Sequence, residues 1–369
     1  MKSHRILPVA IVLSVALPLC GSSSVRMESD LEPRNFEILW VKQQPHATAI
    51  VQAKAALHPD GTAVAYVSPS GDVVMDEIAT GKHSVLVPRH PQMGDAADLA
   101  FSPDGRRVAF WRYDSSGGCP GSNIYAVDTD GRNLTQLTHT SPISTDLAVL
   151  IGATRPFCRR RFWRPKFSPD GSKILVCVTE TVAKQNPQTK QFYDSTRGCV
   201  AIMASDGSGL EILVSDNASC LRSFWSADGR SIYFSALQEG GLALVKMDVA
   251  TRATKFIKGD HRGLLGHRPD REWVAKHTGT GSIRWYDIEK GQFHPVGTWS
   301  VPAAKQVGDK RFQLHGFDWS PSGIVLLWYD DARSERFEVI RFTRGDPYAP
   351  QERPTKPRQP QDSGATEIH

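Results

Sequence analysis

The densest positive charge in the chain is the segment 158–164, CRRRFWR. Guanidinium groups keep their charge at every ordinary pH and present several N–H donors in a fixed fork, so clustered arginines suit an anionic ligand or an acidic protein surface. The alternative is a solvated basic loop whose two aromatic residues pack inward, the commoner role of a charge run. A second basic segment lies at 261–268, and the predicted binding residues are Arg159, Arg160, Arg161, Arg164, His261 and Arg262.

The sequence contains no recognised catalytic or metal-binding motif. It has no G-x-S-x-G nucleophile elbow, no H-E-x-x-H and no C-x-x-C. The neighbouring carboxylates Asp128 and Asp130 belong to a turn, and the spacing of His261 and His267 is not that of a known metal site. We therefore predict a protein without catalytic residues, metal or cofactor. Convergence of carboxylates from distant segments on a Ca²⁺ ion is an open alternative.

A short turn recurs along the chain and must position these side chains. Proline presets φ at the second turn position, aspartate bonds to its own backbone, and glycine accepts the left-handed conformation that closes a tight connection. The spacing between copies is near or above the period of roughly 40 to 50 residues that is typical of four-stranded propeller blades. The six copies are LHPDG at 57, FSPDG at 101, FSPDG at 167, WSADG at 225, HRPDR at 267 and WSPSG at 319.

Strands rich in β-branched and aromatic residues surround each turn. RVAFWR at 107–112 and KILVCV at 173–178 follow two of the turns directly, and a further strand follows each of them. The pattern predicts an all-β fold, a six-bladed β-propeller of four-stranded antiparallel blades. The last copy lacks a fourth strand, because the chain after Gly345 is rich in proline. We predict that Phe36–Lys42 (FEILWVK) supplies this outer strand and closes the ring.

The full repeat is an aromatic residue, Ser-Pro-Asp-Gly, a strand, a second strand ending in Asp, and an Asp-Gly turn. It resembles the WD-like repeats of the TolB family, the periplasmic propellers of the Tol-Pal envelope system. The resemblance covers residues 33–346 and implies a TolB-like propeller in the periplasm. The same repeats build the propeller of prolyl oligopeptidase-type peptidases, so they indicate architecture more than function.

The N-terminus predicts export. Residues 1–5 are basic, residues 6–19 form an apolar run, and small residues follow Cys20, as in a signal sequence spanning residues 1–22. Cys20 resembles the cysteine that bacterial lipoproteins acylate, but Leu19 departs from that pattern, and cleavage after Gly21 or Ser22 is the competing prediction. We expect a protein of the periplasm or of the outer-membrane surface, held to a membrane only if Cys20 is lipidated. The tail 347–369 is predicted to be disordered.

Five further cysteines allow disulfides in an exported protein, with one left over. In a four-stranded blade, the connection between strands two and three and the connection to the next blade emerge on the same face. This placement predicts Cys119 with Cys158 and Cys199 with Cys220, which leaves Cys177 as a buried thiol outside both bonds. A competing prediction pairs Cys177 with Cys199 across the hairpin.

The predicted function is a non-catalytic scaffold that binds an envelope protein or another periplasmic partner through its loop-rich face. The long insertions 138–161 and 180–198 lie on that face, and loops on a rigid scaffold often carry function. The formal net charge of +5 is spread along the chain, which argues against nucleic acid as a partner. The alternative is a hydrolase or lyase that acts on carbohydrate through residues lining the propeller channel.

Overall fold

The computed structural model describes residues 36–45, 55–114, 121–140, 160–215, 218–238, 241–257, 264–268, 272–279, 282–293, 299–300, 313–330 and 334–342. The predicted signal sequence, Cys20 and the C-terminal tail lie outside these residues. The described part of the chain folds into six antiparallel sheets. No helix long and apolar enough to cross a membrane is found in it.

Each sheet is one blade, and the blades follow one another along the chain. Blades 1 to 3 contain β2 (Ala55–Leu57), β3 (Ala63–Val67), β4 (Val73–Glu77) and β5 (His83–Val87); β6 (Met93–Phe101), β7 (Arg107–Asp114), β8 (Gly121–Asp128) and β9 (Thr135–Gln136); and β10 (Arg160–Phe167), β11 (Lys173–Gln185), β12 (Phe192–Ala204) and β13 (Glu211–Ser215). Blades 4 and 5 contain β14 (Ala218–Trp225), β15 (Ser231–Gln238), β16 (Gly241–Asp248) and β17 (Thr254–Ile257); and β18 (Leu264–Arg268), β19 (Trp273–Gly279), β20 (Ser282–Asp287), β21 (Gln292–Phe293) and β22 (Trp299–Ser300). Blade 6 contains β23 (Gln313–Trp319), β24 (Ile324–Asp330), β25 (Ser334–Phe342) and the N-terminal strand β1 (Phe36–Pro45).

The predicted six-bladed propeller and its closure by the N-terminal strand are confirmed. β1 pairs antiparallel with β25 along its whole length, from Phe36 opposite Phe342 to Pro45 opposite Ser334. The half-buried Leu39 and Trp40 pack on the core between blades 6 and 1. Closure of the ring by the first strand covers the backbone of β25, which would otherwise be an open edge.

Blade 5 differs from the prediction of four strands. Its outer position is divided between two short strands, because β21 pairs with Tyr286–Asp287 of β20 and β22 pairs with Ser282–Ile283 of the same strand. The fifth copy of the turn, HRPDR at 267–271, is also the one that lacks glycine. The irregular blade therefore coincides with the irregular repeat.

The repeated turn has the same hydrogen bonds in three blades. In blade 2 the Ser102 hydroxyl donates to Asp104 (2.6 Å) and accepts from the backbone N–H of Arg107 (2.9 Å). Gly105 has φ +71, and a Cβ at this position would overlap the imidazole of His58 in the neighbouring blade. The equivalent bonds occur at Ser168 and at Ser226. Positive φ therefore favours glycine in all three turns, and at Gly105 the close approach of His58 does so as well.

The aspartates of these turns predict how stability depends on pH. Hydrogen bonds from the serine hydroxyl and from a backbone N–H hold the pKa of Asp104 below its ordinary value of 3.8, and the same holds at Asp170 and Asp228. A pKa that is lower in the folded state gives stability that is present above the unfolded pKa and is lost as pH falls through the folded pKa, here in the range below about pH 4. Thermal melts should therefore show a shallower fall in Tm over this range for Asp104→Asn than for the parent protein, since asparagine keeps the turn but does not titrate. Parallel curves would contradict this role.

The core lies between blades rather than within one. Ile124 of blade 2 packs with Val176 of blade 3, and Tyr233 of blade 4 packs with Val274 of blade 5. The first strands of neighbouring blades contact one another around the ring, as β2 does with β6 and β6 with β10. The first strand of each blade is therefore the innermost, next to the propeller axis.

The structure describes the side chains of two of these five cysteines, Cys177 and Cys199. Cys119 and Cys158 lie outside the described residues, as does the side chain of Cys220, so the pairs Cys119–Cys158 and Cys199–Cys220 stay predictions. Cys177 is buried, and its Sγ lies 3.7 Å from the Ser223 hydroxyl in blade 4. Cys177 lies opposite Val200 while Cys199 lies opposite Val178, so the two thiols point to opposite faces of blade 3. This register opposes the competing pair Cys177–Cys199.

Candidate binding surface

The predicted basic cluster is part of a strand, which corrects the prediction of a connecting loop. Arg160–Phe167 forms β10, the innermost strand of blade 3, and Arg159 lies outside the described residues together with His261 and Arg262. The prediction failed because the register partners of the arginines, Glu180 and Thr179, lie far away in the sequence. Phe162 is buried, as the alternative of inward-packing aromatics requires.

Arg160 is held by a buried carboxylate. Glu180 of β11 has no exposed surface, and its carboxylate accepts from Arg160 Nε (3.0 Å) and from Arg197 Nη2 (2.6 Å) and Nε (2.9 Å). Burial alone would raise the pKa of Glu180, but the hydrogen bonds from Arg197 and Arg160 outweigh burial, and the pKa lies below its ordinary value. The charge of Arg160 is thus neutralised by Glu180. The two ion pairs of Glu180, with Arg160 and with Arg197, link β11 to β10 and to β12.

Arg164 is held by a second buried carboxylate. Its Nε lies 3.7 Å from Asp98 Oδ2 in blade 2, and the same oxygen accepts from the indole N–H of Trp111 (2.7 Å). Both Asp98 and Arg164 have positive φ, 50° and 52°, and each lies at a β-bulge of an innermost strand. A bulge re-aims a side chain, and here the two bulges turn opposite charges toward each other across the gap between blades. Arg164 therefore links blades 2 and 3.

Arg161 is the member of the cluster that offers charge to solvent. It is exposed, and its guanidinium makes no ion pair within the part of the chain that the structure describes. In the second basic segment, Arg268 is buried instead, with its Cζ 4.4 Å from the ring centre of Trp319. Of the three described arginines in 160–164, Arg161 is therefore the one whose charge can contact a ligand or partner.

The insertion 180–198 is a β-hairpin and not the predicted loop. The pairing of β11 with β12 continues from Thr181 opposite Thr196 to Gln185 opposite Phe192. Among the described residues neither flanking strand extends beside it, since the described pairing of β10 reaches Glu180 and that of β13 reaches Cys199. We call residues 181–196 the arm. The β-branched residues Thr179, Thr181 and Val182 are the sequence signal that could have indicated it.

The tip of the arm is ordered by its own side chains. The Asn186 side-chain oxygen accepts from the backbone N–H groups of Gln188 (2.9 Å) and Thr189 (3.1 Å). Lys190 has φ 59°, which closes the turn. The connection between the second and third strands lies at the end of a blade opposite the repeated turns, so the arm projects from the loop-rich face.

The arm exposes aromatic surface. Phe192 is 40% exposed and Tyr193 is 46% exposed, and as neighbours in one strand they lie on opposite faces of the two-stranded ribbon. Both backbone edges of the arm also lack a neighbouring strand among the described residues. Aromatic side chains are enriched in protein interfaces, and open edges can accept an added strand. The arm together with Arg161 is the candidate binding surface.

The described residues contain no group of three or more His, Cys, Asp or Glu side chains that could hold a metal ion.

Among known proteins, this chain is similar to solved structures of low sequence identity. No protein-family model matches the chain, and no curated protein matches it. An oligogalacturonate lyase in complex with manganese is similar in structure, with 13% identity over 78% of this chain and 76% of that chain and a TM-score of 0.49. A putative TolB from Agrobacterium tumefaciens is 18% identical over 79% of this chain and 89% of that chain, with a TM-score of 0.46. A gluconolactonase from Xanthomonas campestris is 13% identical over 81% of this chain and 89% of that chain, with a TM-score of 0.48. These likenesses concern the fold alone.

Proposed function

We propose that this protein is a non-catalytic, exported, TolB-like scaffold that binds a protein of the cell envelope through the arm and Arg161. The observation that carries the proposal is the continuation of β11 and β12 beyond the described residues of β10 and β13, with Phe192 and Tyr193 exposed on it. A folded domain gains nothing in its own core from two aromatic rings left in water, whereas an interface gains a large contact area from them.

The base of the arm supports a binding role because ion pairs hold its two strands together. Glu180 lies where the arm leaves the blade, and its pairs with Arg160 and Arg197 fix both strands at that point. A ribbon fixed at its base loses less conformational entropy on binding than a flexible loop does. The proposal includes the periplasm, or the outer-membrane surface if Cys20 is acylated, as its location.

The charge near the arm favours an acidic partner surface. Arg161 and Lys190 are both exposed, and Arg160 and Arg197 compensate the one buried carboxylate at the base. Exposed charges of one sign mainly raise the association rate of a complementary partner and fall in effect as salt rises. We therefore expect binding to weaken with ionic strength.

A photo-crosslinking residue placed at Tyr193 in the exported protein tests the proposal. We expect one dominant adduct with an envelope protein, because the side chain at this position would be buried in the interface. The matched control is Phe256 in β17, an aromatic residue that is 54% exposed on the outer edge of blade 4. Equal adducts at both positions, or none at Tyr193, would count against the arm.

With the partner purified, the double substitution Phe192→Ala, Tyr193→Ala should weaken binding by roughly 30-fold or more, the size of effect typical of interface hot spots. Phe256→Ala should leave the affinity unchanged. Calorimetric titration of the three proteins at two salt concentrations measures both the contribution of the arm and that of charge. A double variant that binds as tightly as the parent would remove the arm from the interface.

A further inference from the structure

Arg112 in β7 is a buried guanidinium that has no hydrogen-bonding partner among the described residues. It is 3% exposed, and its Nε and Nη2 are both buried without an acceptor. The ring centre of Phe110 lies 5.6 Å from Arg112 Cζ. A buried donor without a hydrogen bond costs about 1–3 kcal/mol, and a charged donor costs more. A group that fills these donors would remove this cost.

The position of Arg112 is defined by strand register. It lies opposite Ala96 of the innermost strand β6 and opposite Asn123 of β8. Arg112 shares its face of the sheet with Phe110, which packs in the core between blades 1 and 2. Only Tyr113 and Asp114 separate it from the end of β7, on the loop-rich face. The guanidinium therefore lies between blades 1 and 2, one strand away from the propeller axis.

A second unsatisfied group lies on the same face. Tyr125 of β8 stacks on Phe110 at 5.8 Å between ring centres, and its hydroxyl is buried without a hydrogen bond to any described residue. Burial raises the pKa of Tyr125 to about 12, so the phenol stays protonated and can donate. Arg112 and Tyr125 are near enough for the charge of each to act on the pKa of the other.

The charged side chains around Arg112 determine which ligand charge the site can accept. Asp72 and Asp95 act on Arg112 through space. Asp72 already accepts from the backbone N–H of Arg89 (2.7 Å), and Asp95 lies 3.9 Å from Arg89 Nε. Two arginines thus stand beside two carboxylates that have other partners. Repulsion from Asp72 and Asp95 is smaller for a monoanion than for a dianion, which favours a ligand with one negative charge.

We propose that Arg112 binds a monoanionic, carboxylate-bearing ligand between blades 1 and 2 at the loop-rich end of the propeller. Nε and Nη2 lie along one edge of the guanidinium, and this edge matches the two oxygens of a carboxylate in two parallel N–H···O bonds. The Tyr125 hydroxyl donates a third bond to the ligand. This site is in a different part of the ring from the arm, so it does not depend on the proposed function of the arm.

The test titrates the full chain with ¹³C-labelled sodium acetate at a fixed ionic strength maintained with sodium chloride. We expect saturable broadening of the acetate resonance and a saturable rise in Tm, since a ligand that binds the folded state alone stabilises it. Arg112→Met should abolish both effects. This variant should fold, because methionine replaces an unpaired buried charge with an apolar chain. Arg132→Met is the control, because the side chain of Arg132 is 82% exposed, and it should bind acetate as the parent does.

Two more variants and a second probe sharpen the result. Arg112→Lys keeps the charge but loses the two-pronged geometry, so acetate affinity should fall by roughly tenfold. Tyr125→Phe should weaken binding several-fold without abolishing it. Sodium phosphate at about pH 8.5, where it is mainly a dianion, should give a smaller saturable Tm rise than acetate. The proposal is overturned if acetate gives no saturable effect, if Arg112→Met responds as the parent does, or if phosphate binds more tightly than acetate.

Discussion

Glu180→Ala should lower the free energy of unfolding by about 3 kcal/mol, the low end of what removal of one partner of a buried ion pair costs. The substitution leaves Arg160 and Arg197 without their shared carboxylate at the base of the arm. We place the effect at the low end because both arginines are partly exposed and water can solvate them in the variant.

Urea unfolding followed by tryptophan fluorescence measures this loss. Glu211→Ala is the matched control, because Glu211 also pairs with an arginine, Arg252 at 2.6 Å, but is 57% exposed. The control should lose no more than about 1 kcal/mol. Hydrogen exchange adds a local measurement, since the amides of residues 181–196 should exchange faster in Glu180→Ala alone. Equal losses in the two variants would show that Glu180 does not hold the arm.

Removal of β1 should destabilise the ring by at least about 4 kcal/mol, comparable to the loss of a large buried side chain, and should cause self-association. A truncation that begins at residue 46 loses all pairing with β25, together with the packing of Leu39 and Trp40. It also leaves the backbone of β25 as an open edge beside buried Val339 and Ile340.

The control truncation begins at residue 36 and keeps β1 intact. It should melt as the parent does and elute as a single species in size-exclusion chromatography, whereas the shorter protein melts earlier and elutes in part as larger species. A synthetic peptide of sequence 36–45 added to the shorter protein should restore much of the lost Tm. Identical melting of the two truncations would show that β1 does not close the ring.

The repeated turn made the fold predictable from the sequence. Ser102, Asp104 and Gly105 act within a few residues of one another, so their chemistry is local and recurs wherever the same letters recur. Ring closure was predictable for a related reason, since the last repeat lacked a strand and the first residues of the propeller offered one. Local patterns of this kind need no knowledge of distant contacts.

The candidate sites were less predictable because their partners are distant in sequence. The sequence alone indicated that Arg160 and Arg164 carry solvent-exposed charge. In the structure Arg160 pairs with Glu180, and Arg164 pairs with Asp98. The arm was hidden by polar residues that read as a loop, although they pair in register. Arg112 carried one usable signal, since it continues the core-facing alternation of Val108 and Phe110. A charged residue in such a position indicates either a partner or a ligand.

The register of the closing strand also fixes how the protein is attached to whatever precedes and follows it. Because Phe36 lies opposite Phe342, the chain enters and leaves the propeller at neighbouring points on the rim of blade 6. Blade 3 is three blades away in a ring of six, directly across the axis. A tether on either side of the propeller would therefore hold it by the rim of blade 6 and leave the arm on the far side of the ring, projecting from the loop-rich face at the greatest distance from the point of attachment.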